Sequence, residues 1–262
     1  MSNKLSICIV AYNNYNDIKE ALVSLEKYTS CRLKKKIYIV DNGVNISNPR
    51  DVEDFKKFIS EYKEIEYYNP GDNIGFGGGH NFILDKIDSD YHAIINPDII
   101  FCEDAFSKII NWMDNNKDVG MAIPLIVDED GKRQDVYRLE LTVFDMFNRM
   151  FLNSAFQRRA NKHIMKNMDY STPFQVPFGQ GSFLVIRTSL FKELSGFDER
   201  FFMYVEDADL CKRLNQISKL LYYPYAKVIH KWEKGSHKNK VLFKYHIQSM
   251  IYYFRKWGWK LI

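Results

Sequence analysis

The sequence predicts an α/β fold with a mostly parallel central sheet and helices on both of its faces. Three observations carry this. Between Leu5 and Asp98, short apolar runs alternate with amphipathic stretches in the order β-α-β-α-β-α-β. Runs such as Ile37 to Val40 and Ala93 to Ile95 place apolar residues consecutively rather than alternately, the pattern of strands covered on both sides. Two of these strands stop at a carboxylate, Asp41 and Asp98, and ligands in open α/β sheets bind beyond the carboxyl ends of the strands.

Taken in order, Leu5 to Ala11 is the first strand, followed by the polar turn Tyr12 to Asp17. Ile18, Ala21, Leu22, Leu25 and Tyr28 recur at helical spacing, with Asn16 or Asp17 as the expected N-cap. Lys36 to Val40 is the second strand and ends at Asp41-Asn42-Gly43. Val52, Phe55, Phe58 and Ile59 mark a helix, and Ile65 to Tyr68 a third strand. The glycine-dense segment Asn73 to Asn81 then reads as a loop running into a helix through Phe82, Ile83 and Ile87. Main-chain N–H groups free of Cβ obstruction at a helix start can approach a pyrophosphate closely, although such loops are also commonly tight turns. The dinucleotide fingerprint needs glycine where His80 stands and belongs after the first strand, and the lysine of a P-loop is missing.

Tyr91 to Ile95 is the next strand. Pro97 cannot donate to a ladder and biases Asn96 to extended geometry, so pairing should end there, with Asp98 just beyond; the plain alternative for Asp98 is a helix N-cap. A helix through Phe106, Ile109, Ile110 and Met113 precedes a strand at Val119 to Ile126 and a turn at Asp128 to Gly131. The alternation breaks over 133–175, a basic and aromatic insertion expected on the carboxyl side of the sheet, with helical spacing at Val143, Phe147, Met150 and Phe151. Pro177 to Arg187 is a glycine-led strand, and Ser189 to Leu194 a helix closed by Gly196. Next, an aromatic stretch delivers three close acids, Glu206, Asp207 and Asp209. Acids at a helix start complement its dipole, but a carboxylate walled by aromatics also holds a raised pKa and serves as a general base. Leu220 to Tyr223 and Ala226 to Ile229 read as two short strands ending at His230, and the stretch from His230 to His237 is polar and flexible in character. A lone histidine at a strand end is more often structural than a ligand. The last helix collects Phe243, Ile247, Met250, Ile251, Phe254 and Trp257 on one face and His246, Arg255 and Lys256 on the other.

Composition sets bounds on function. The chain has 262 residues, 46% hydrophobic and 27% charged, enough for a real core. The net charge of +4 is concentrated in Arg149 to Lys166 and from Lys231 onward, segments suited to phosphates or anionic head groups, or simply to a solvated face. No recognised nucleic-acid module accompanies this charge, so no nucleic-acid partner is expected. Cys8, Cys31, Cys102 and Cys211 form no C-x-x-C pair, which argues for reduced thiols in a cytoplasmic protein. No apolar run approaches the roughly 20 residues of a membrane span, so any membrane contact is peripheral.

In chain order, Val10-Ala-Tyr-Asn13, Val40-Asp41-Asn42, Asn73 to Asn81, Asn96-Pro97-Asp98, Gly179-Gln-Gly-Ser182, Gly196 to Leu210 with its Glu206-Asp207, and His230 resemble the family 2 inverting glycosyltransferases of GT-A fold, more narrowly their bacterial rhamnosyltransferase-like branch. The resemblance spans residues 5 to about 237. It implies a single GT-A domain over 1–240, with a nucleotide-sugar half at 1–126 and an acceptor half at 127–240, followed by an amphipathic helix at 241–262. Asn96-Pro97-Asp98 resembles the family's D-x-D position, with Asn96 replacing the first aspartate and Asp98 contacting a divalent ion, Mn²⁺ or Mg²⁺; His230 is the candidate second ligand. Ala11, Tyr12, Asn13 and Asp41 resemble the base pocket, while Asn73, Gly75, Phe76 and Asn81 would lie along the nucleotide and sugar. Asp207 is the implied general base, with Glu206 as runner-up.

The implied reaction moves a sugar, L-rhamnose from dTDP-L-rhamnose or else another hexosyl or galactofuranosyl group, onto a glycan or lipid-linked glycan in surface-polysaccharide synthesis. An inactive nucleotide-sugar-binding protein is the alternative within the fold. A Rossmann oxidoreductase is disfavoured by the failed glycine fingerprint. The terminal helix and the insertion would hold the enzyme at the inner face of the cytoplasmic membrane, or the helix packs on the core or forms a homodimer contact.

Overall fold

A computed structural model describes residues 3–43, 45–152, 156–231 and 240–262. The first half alternates as expected: β1 (Asn3–Ala11), α1 (Tyr15–Tyr28), β2 (Lys35–Asp41), α2 (Pro49–Ile59), β3 (Ile65–Tyr68), α3 (Gly75–Asn81), a single 3₁₀ turn at Leu84–Lys86, and β4 (Ser89–Ile95). Then come β5 (Ile99–Phe101), α4 (Ala105–Asn115), β6 (Val119–Val127), β7 (Tyr137–Arg138), α5 (Val143–Phe151) and α6 (Gln157–His163). The remainder is β8 (Phe174–Gln175), β9 (Phe178–Gly179), β10 (Phe183–Arg187), α7 (Thr188–Glu193), α8 (Glu206–Ile217), β11 (Lys219–His230) and α9 (Lys240–Trp257).

The main sheet runs β3-β2-β1-β4-β10-β6-β11-β5, with β8 added beside β11. The first four strands are mutually parallel and β11 runs parallel to β6, whereas β10 is antiparallel to both its neighbours and β5 is antiparallel to β11. Ile7, Ile9, Ile39, Ala93, Ile94, Ile95, Ile123 and Val185 lie fully or almost fully buried along these strands, which explains their unbroken apolar runs. Helix starts follow local chemistry where a short polar side chain is available: Asn48 accepts from Arg50 N before Pro49, Asp104 from Ser107 N, and Thr142 from Asp145 N.

Four sequence expectations are corrected. The first helix begins at Tyr15 without a side-chain cap, because Asn14 spends its side chain on Tyr12 N instead. The glycines at 75 and 77–79 are not a loop before a helix but are themselves α3, while Phe82 to Ile87 holds only the short 3₁₀ turn. Their function is close packing: a Cβ at Gly79 would stand 2.7 Å from the side chain of Val10 on β1, so the helix can lie on the sheet only with glycine there. The two short strands around Tyr223 are one strand, β11, with a register shift between Tyr223 and Lys227 that accommodates the Pro224 interruption. The terminal helix buries Ser249, Tyr253 and Phe254, leaves Phe243 and Ile251 exposed, and points its Lys256 inward. Its seat contains two carboxylates, Asp198 and Asp209; Lys256 bonds both, at 2.8 and 2.7 Å, and Trp257 Nε1 donates to Asp209 at 2.8 Å. The face that docks is therefore set by buried charge and not by hydrophobicity alone. The polar stretch expected up to His237 lies outside the described residues from position 232 onward.

Candidate active site

β4 stops where proline ends the ladder, with Asn96 N making one last bond to Ser182 O at 2.9 Å. Asn96 lines a cavity of about 270 Å³ together with Phe76, Gly181, Glu206 and Asp207. Asp98 does not line it. Antiparallel pairing of β5 with β11 sets Ile99 against His230 and so brings the histidine to Asp98. His230 Nε2 stands 3.3 Å from Asp98 Oδ1, a buried oxygen that accepts no hydrogen bond.

The tautomer of that histidine follows from its neighbour. Gln134 Nε2 donates to the His230 main-chain oxygen at 2.7 Å, which turns Gln134 Oε1 toward His230 Nδ1 at 2.9 Å. A carbonyl oxygen can only accept, so Nδ1 carries a proton and donates to Gln134, leaving Nε2 to face Asp98. With a proton on Nε2 the 3.3 Å contact to Asp98 is an ion pair; without one, the lone pair and the carboxylate oxygen face each other favourably with a cation between them. Hard oxygen and imidazole nitrogen suit Mn²⁺, so the pair fits a divalent ion as two of its ligands. Among the described residues no cluster of three or more His, Cys, Asp or Glu is formed, so further ligands must come from a bound phosphate or water.

The three acids expected near position 206 separate into distinct roles. Asp209 is fully buried and bonded to Arg213 at 2.8 Å as well as to Trp257 and Lys256, so it anchors α9 on α8. Glu206 is buried, and its Oε2 has no hydrogen-bond partner. Burial, and then the charge of Asp207, push its pKa well above the ordinary range and favour its protonated form. Asp207 is also raised by burial, but the Gly181 N–H at 2.9 Å, the Arg138 guanidinium and the Ala208 N–H at 2.8 Å oppose this. Of the two adjacent carboxyls, Asp207 is therefore the more readily ionised. Both follow Tyr204 and Val205, each at φ +68, a left-handed backbone that is strained for a β-branched residue. That double turn aims the first residues of α8 into the cavity.

The residues expected along a nucleotide are dispersed. Ala11 is buried at the end of β1, with Tyr12 and Asn13 exposed on the loop after it. Asp41 is fully buried, and its carboxylate accepts from Tyr15 at 2.8 Å, Tyr67 at 2.7 Å and Gly43 N at 2.9 Å; it holds the base of that loop and faces no open surface. Asn73 accepts from Gly75 N, and Asn81 bridges to Phe197 and Glu199, fastening α3 to the segment before α8. Asn81 is thus a structural lock where a ligand contact was expected. Gly75 has φ +79, and a Cβ there would fall 2.1 Å from Phe202 O, so glycine is required where the two halves of the site touch. Phe76 reaches the cavity wall, and Asn96 with it.

Four further residues were not singled out as site residues from sequence: Gln134, Arg138, Arg149 and His246. The last three line the cavity. All but His246 come from the 133–175 insertion, where the strand–helix alternation breaks, and nothing local distinguishes them from surface polar residues.

The family model for glycosyl transferase family 2 matches residues 6–195. The chain belongs to glycosyl transferase family 2. Rhamnosyltransferase WbbL of Escherichia coli K12 is 28% identical to it over 262 residues, covering 94% of this chain and 91% of that protein. An N-acetylglucosaminyl-diphospho-decaprenol L-rhamnosyltransferase of Mycobacterium tuberculosis is 25% identical over 244 residues, covering 88% and 76%. Among solved structures, GalNAc-T7 with UDP, GalNAc and Mn²⁺ superposes with a TM-score of 0.68 at 16% identity, covering 91% of this chain but 45% of that one. This family 2 chain thus has the GT-A fold, and its relatives include rhamnosyltransferases. Among the described residues no helix is long and apolar enough to cross a membrane.

Proposed function

We propose that the protein is an inverting, metal-assisted glycosyltransferase that moves a sugar, L-rhamnose from dTDP-L-rhamnose, onto a hydroxyl of a glycan acceptor in bacterial surface-polysaccharide synthesis. The observation that carries this is Asp207: a carboxyl hydrogen-bonded by Gly181 N and Ala208 N, the more readily ionised of two adjacent acids, in the cavity that Asn96 also lines. Inversion needs one in-line displacement, in which an acceptor hydroxyl loses its proton as its oxygen attacks the anomeric carbon and the nucleoside diphosphate leaves from the opposite face. Asp207 takes that proton. Glu206, whose burial favours its neutral form, does not compete with it. Asp98 and His230 would hold a divalent ion, which would supply charge neutralisation for the leaving diphosphate. The rhamnosyl choice rests on the two rhamnosyltransferase relatives, and Mn²⁺ on the metal in the GalNAc-T7 structure.

The acceptor is read as lipid-linked, as the name of the mycobacterial relative describes for that protein. In support, Val143 N and Phe144 N at the start of α5 donate to the main-chain oxygens of Lys260 and Leu261, so the insertion and the terminal residues share one surface. Phe147, Phe156, Trp259, Leu261 and Ile262 are exposed there beside Arg158, Lys162 and Lys260, a composition suited to an anionic bilayer face. Flotation with anionic vesicles should carry the parent protein and lose a Phe147→Ala/Trp259→Ala variant; equal recovery of both removes the membrane contact.

The reaction itself is tested by incubating the protein and Mn²⁺ with a panel of nucleotide sugars and measuring released nucleoside diphosphate, alongside EDTA and Asp98→Ala controls. Turnover of dTDP-L-rhamnose that both controls abolish supports the proposal. Turnover of a different donor corrects the sugar. Neither turnover nor metal-dependent binding of any donor sinks the enzyme reading in favour of an inactive fold.

A further inference from the structure

The segment that leads into the catalytic start of α8 is met residue by residue from α9. The Phe201 ring packs on Tyr252 at 4.7 Å between centroids, Phe202 on Tyr245 at 4.5 Å and Tyr204 on His246 at 4.8 Å. Between them the Ser249 hydroxyl, only 4% exposed, donates to the Met203 main-chain oxygen at 2.8 Å. Upstream, Asp198 accepts from Tyr252 at 3.2 Å and from Lys256 at 2.8 Å. Every residue from Phe201 to Tyr204 therefore has a partner on α9.

These contacts fall where the backbone needs support from outside. Tyr204 and Val205, both at φ +68, are the only adjacent non-glycine pair in the left-handed region among the described residues. That conformation is strained for a β-branched residue and persists only where the surroundings over-determine it. The local chain does not do so: the N-cap of α8 is Val205 itself, and no side chain caps the helix. The carbonyls just before the turn are held by other elements instead. Phe202 O accepts from Phe76 N of α3 at 3.3 Å, and Met203 O from Ser249 of α9. Two residues beyond the turn, Asp207 is fixed against Gly181 N and Ala208 N. Relaxation of Tyr204 and Val205 to negative φ would reorient the first turn of α8 and carry that carboxylate away from its place in the cavity. A base displaced by about an ångström loses rate even where the substrate still binds.

We propose that α9 clamps the Tyr204–Val205 turn and that Ser249 is a positioning residue for Asp207. This rests on the glycosyltransferase reading and adds to it a remote residue that sets the rate. Ser249 does not line the cavity, so it acts on the base only through Met203 and the turn.

The test compares the full-length parent with Ser249→Ala and Ser249→Thr in two measurements. One is amide hydrogen exchange; the other is steady-state release of nucleoside diphosphate, with Mn²⁺, from the donor that the nucleotide-sugar panel identifies. In Ser249→Ala, peptides covering 200–208 should exchange about tenfold faster or more, with those of β1 and β4 unchanged. Its kcat should fall about tenfold or more at an unchanged donor KM, the mark of an interaction that serves the transition state alone. Ser249→Thr keeps the hydroxyl and should stay within about threefold of the parent in both measurements. Tyr245→Ala removes the ring contact to Phe202 from a half-buried position, so it reports on the clamp even if Ser249→Ala melts early. Unchanged exchange and kcat in both alanine variants overturn the proposal. So does a raised donor KM at unchanged kcat, which makes α9 a binding element, or faster exchange throughout the chain at unchanged kcat, which leaves Ser249 a merely structural role. A parent that turns over its donor while the alanine variants match it loses this inference alone; one that turns over no donor loses the function beneath it.

Discussion

Replacing Asp207 by asparagine tests the site most directly, because the side chain keeps its shape and loses only its basicity. In the structure the carboxylate accepts from Gly181 N and Ala208 N. An amide has a single accepting oxygen, so one of these bonds is lost, at a structural cost of about 1 kcal/mol. The catalytic loss is larger. A positioned general base contributes about 10²–10⁴ in rate, or roughly 3–5 kcal/mol of barrier at 1.36 kcal/mol per tenfold. Glu206→Gln is the matched control: burial already favours the protonated form of Glu206, so a neutral isostere should cost less than about tenfold. The assay is initial-rate release of nucleoside diphosphate at saturating donor, acceptor and Mn²⁺, with donor affinity measured separately and expected to be unaltered. The parent rate should also fall as pH drops through the raised pKa of Asp207, placing the acid limb above the ordinary aspartate value of about 3.9, since the base works only deprotonated. Asp207→Asn activity within a few-fold of the parent refutes the reasoning. A Glu206→Gln loss exceeding that of Asp207→Asn hands the role to Glu206.

Four other outcomes follow from the same geometry. Glu206 keeps in the folded state a proton that the unfolded chain releases above about pH 4.3, so its burial lowers stability as pH rises from there toward its raised folded pKa; Glu206→Gln should gain in melting temperature over the parent between pH 5 and pH 8, and a pH-independent gap contradicts this. Gly75→Ala forces a Cβ against Phe202 O at a positive φ and should destabilise by about 2–4 kcal/mol in urea unfolding, with a loss below about 1 kcal/mol showing that the contact relaxes freely. Mn²⁺ at about 100 times its Kd should stabilise the nucleotide-bound parent by about 2.7 kcal/mol, an increment lost in Asp98→Ala and His230→Ala. Gln134→Leu, by freeing the His230 tautomer, should weaken Mn²⁺ about tenfold or more, and a full metal shift in His230→Ala removes that ligand from the set.

Much of the fold was legible because it rests on local pattern. Consecutive apolar residues at Ile37 to Val40 and Ala93 to Ile95 can only be covered on both faces, and Pro97 ends pairing wherever it stands. The parallel order of the first four strands follows from helices interposed between them. The glycines at 75–79 misled because their composition matches a phosphate loop, while their reason is contact with Val10 and Phe202, residues distant in sequence. The strand β5 escaped notice as a three-residue run after a proline turn, and β11 looked like two strands because its bulge carries Pro224.

The site divides along the same line. From sequence alone come the residue types that can do the chemistry, Asp98, Glu206, Asp207 and His230, and the strand ends and helix start that carry three of them. The tertiary structure decided what each one does. Antiparallel pairing of β5 with β11 brings His230 to Asp98; contact with Gly181 and burial without a partner make Asp207 the more readily ionised and favour a neutral Glu206; and α9 claims Asp209 for packing. It also brought Arg138 and Arg149 into the cavity from the insertion, where the strand–helix alternation breaks. The physical reason is one of range: propensity and periodicity are properties of neighbours along the chain, whereas protonation, tautomer and charge pairing depend on what lies across a few ångströms of space.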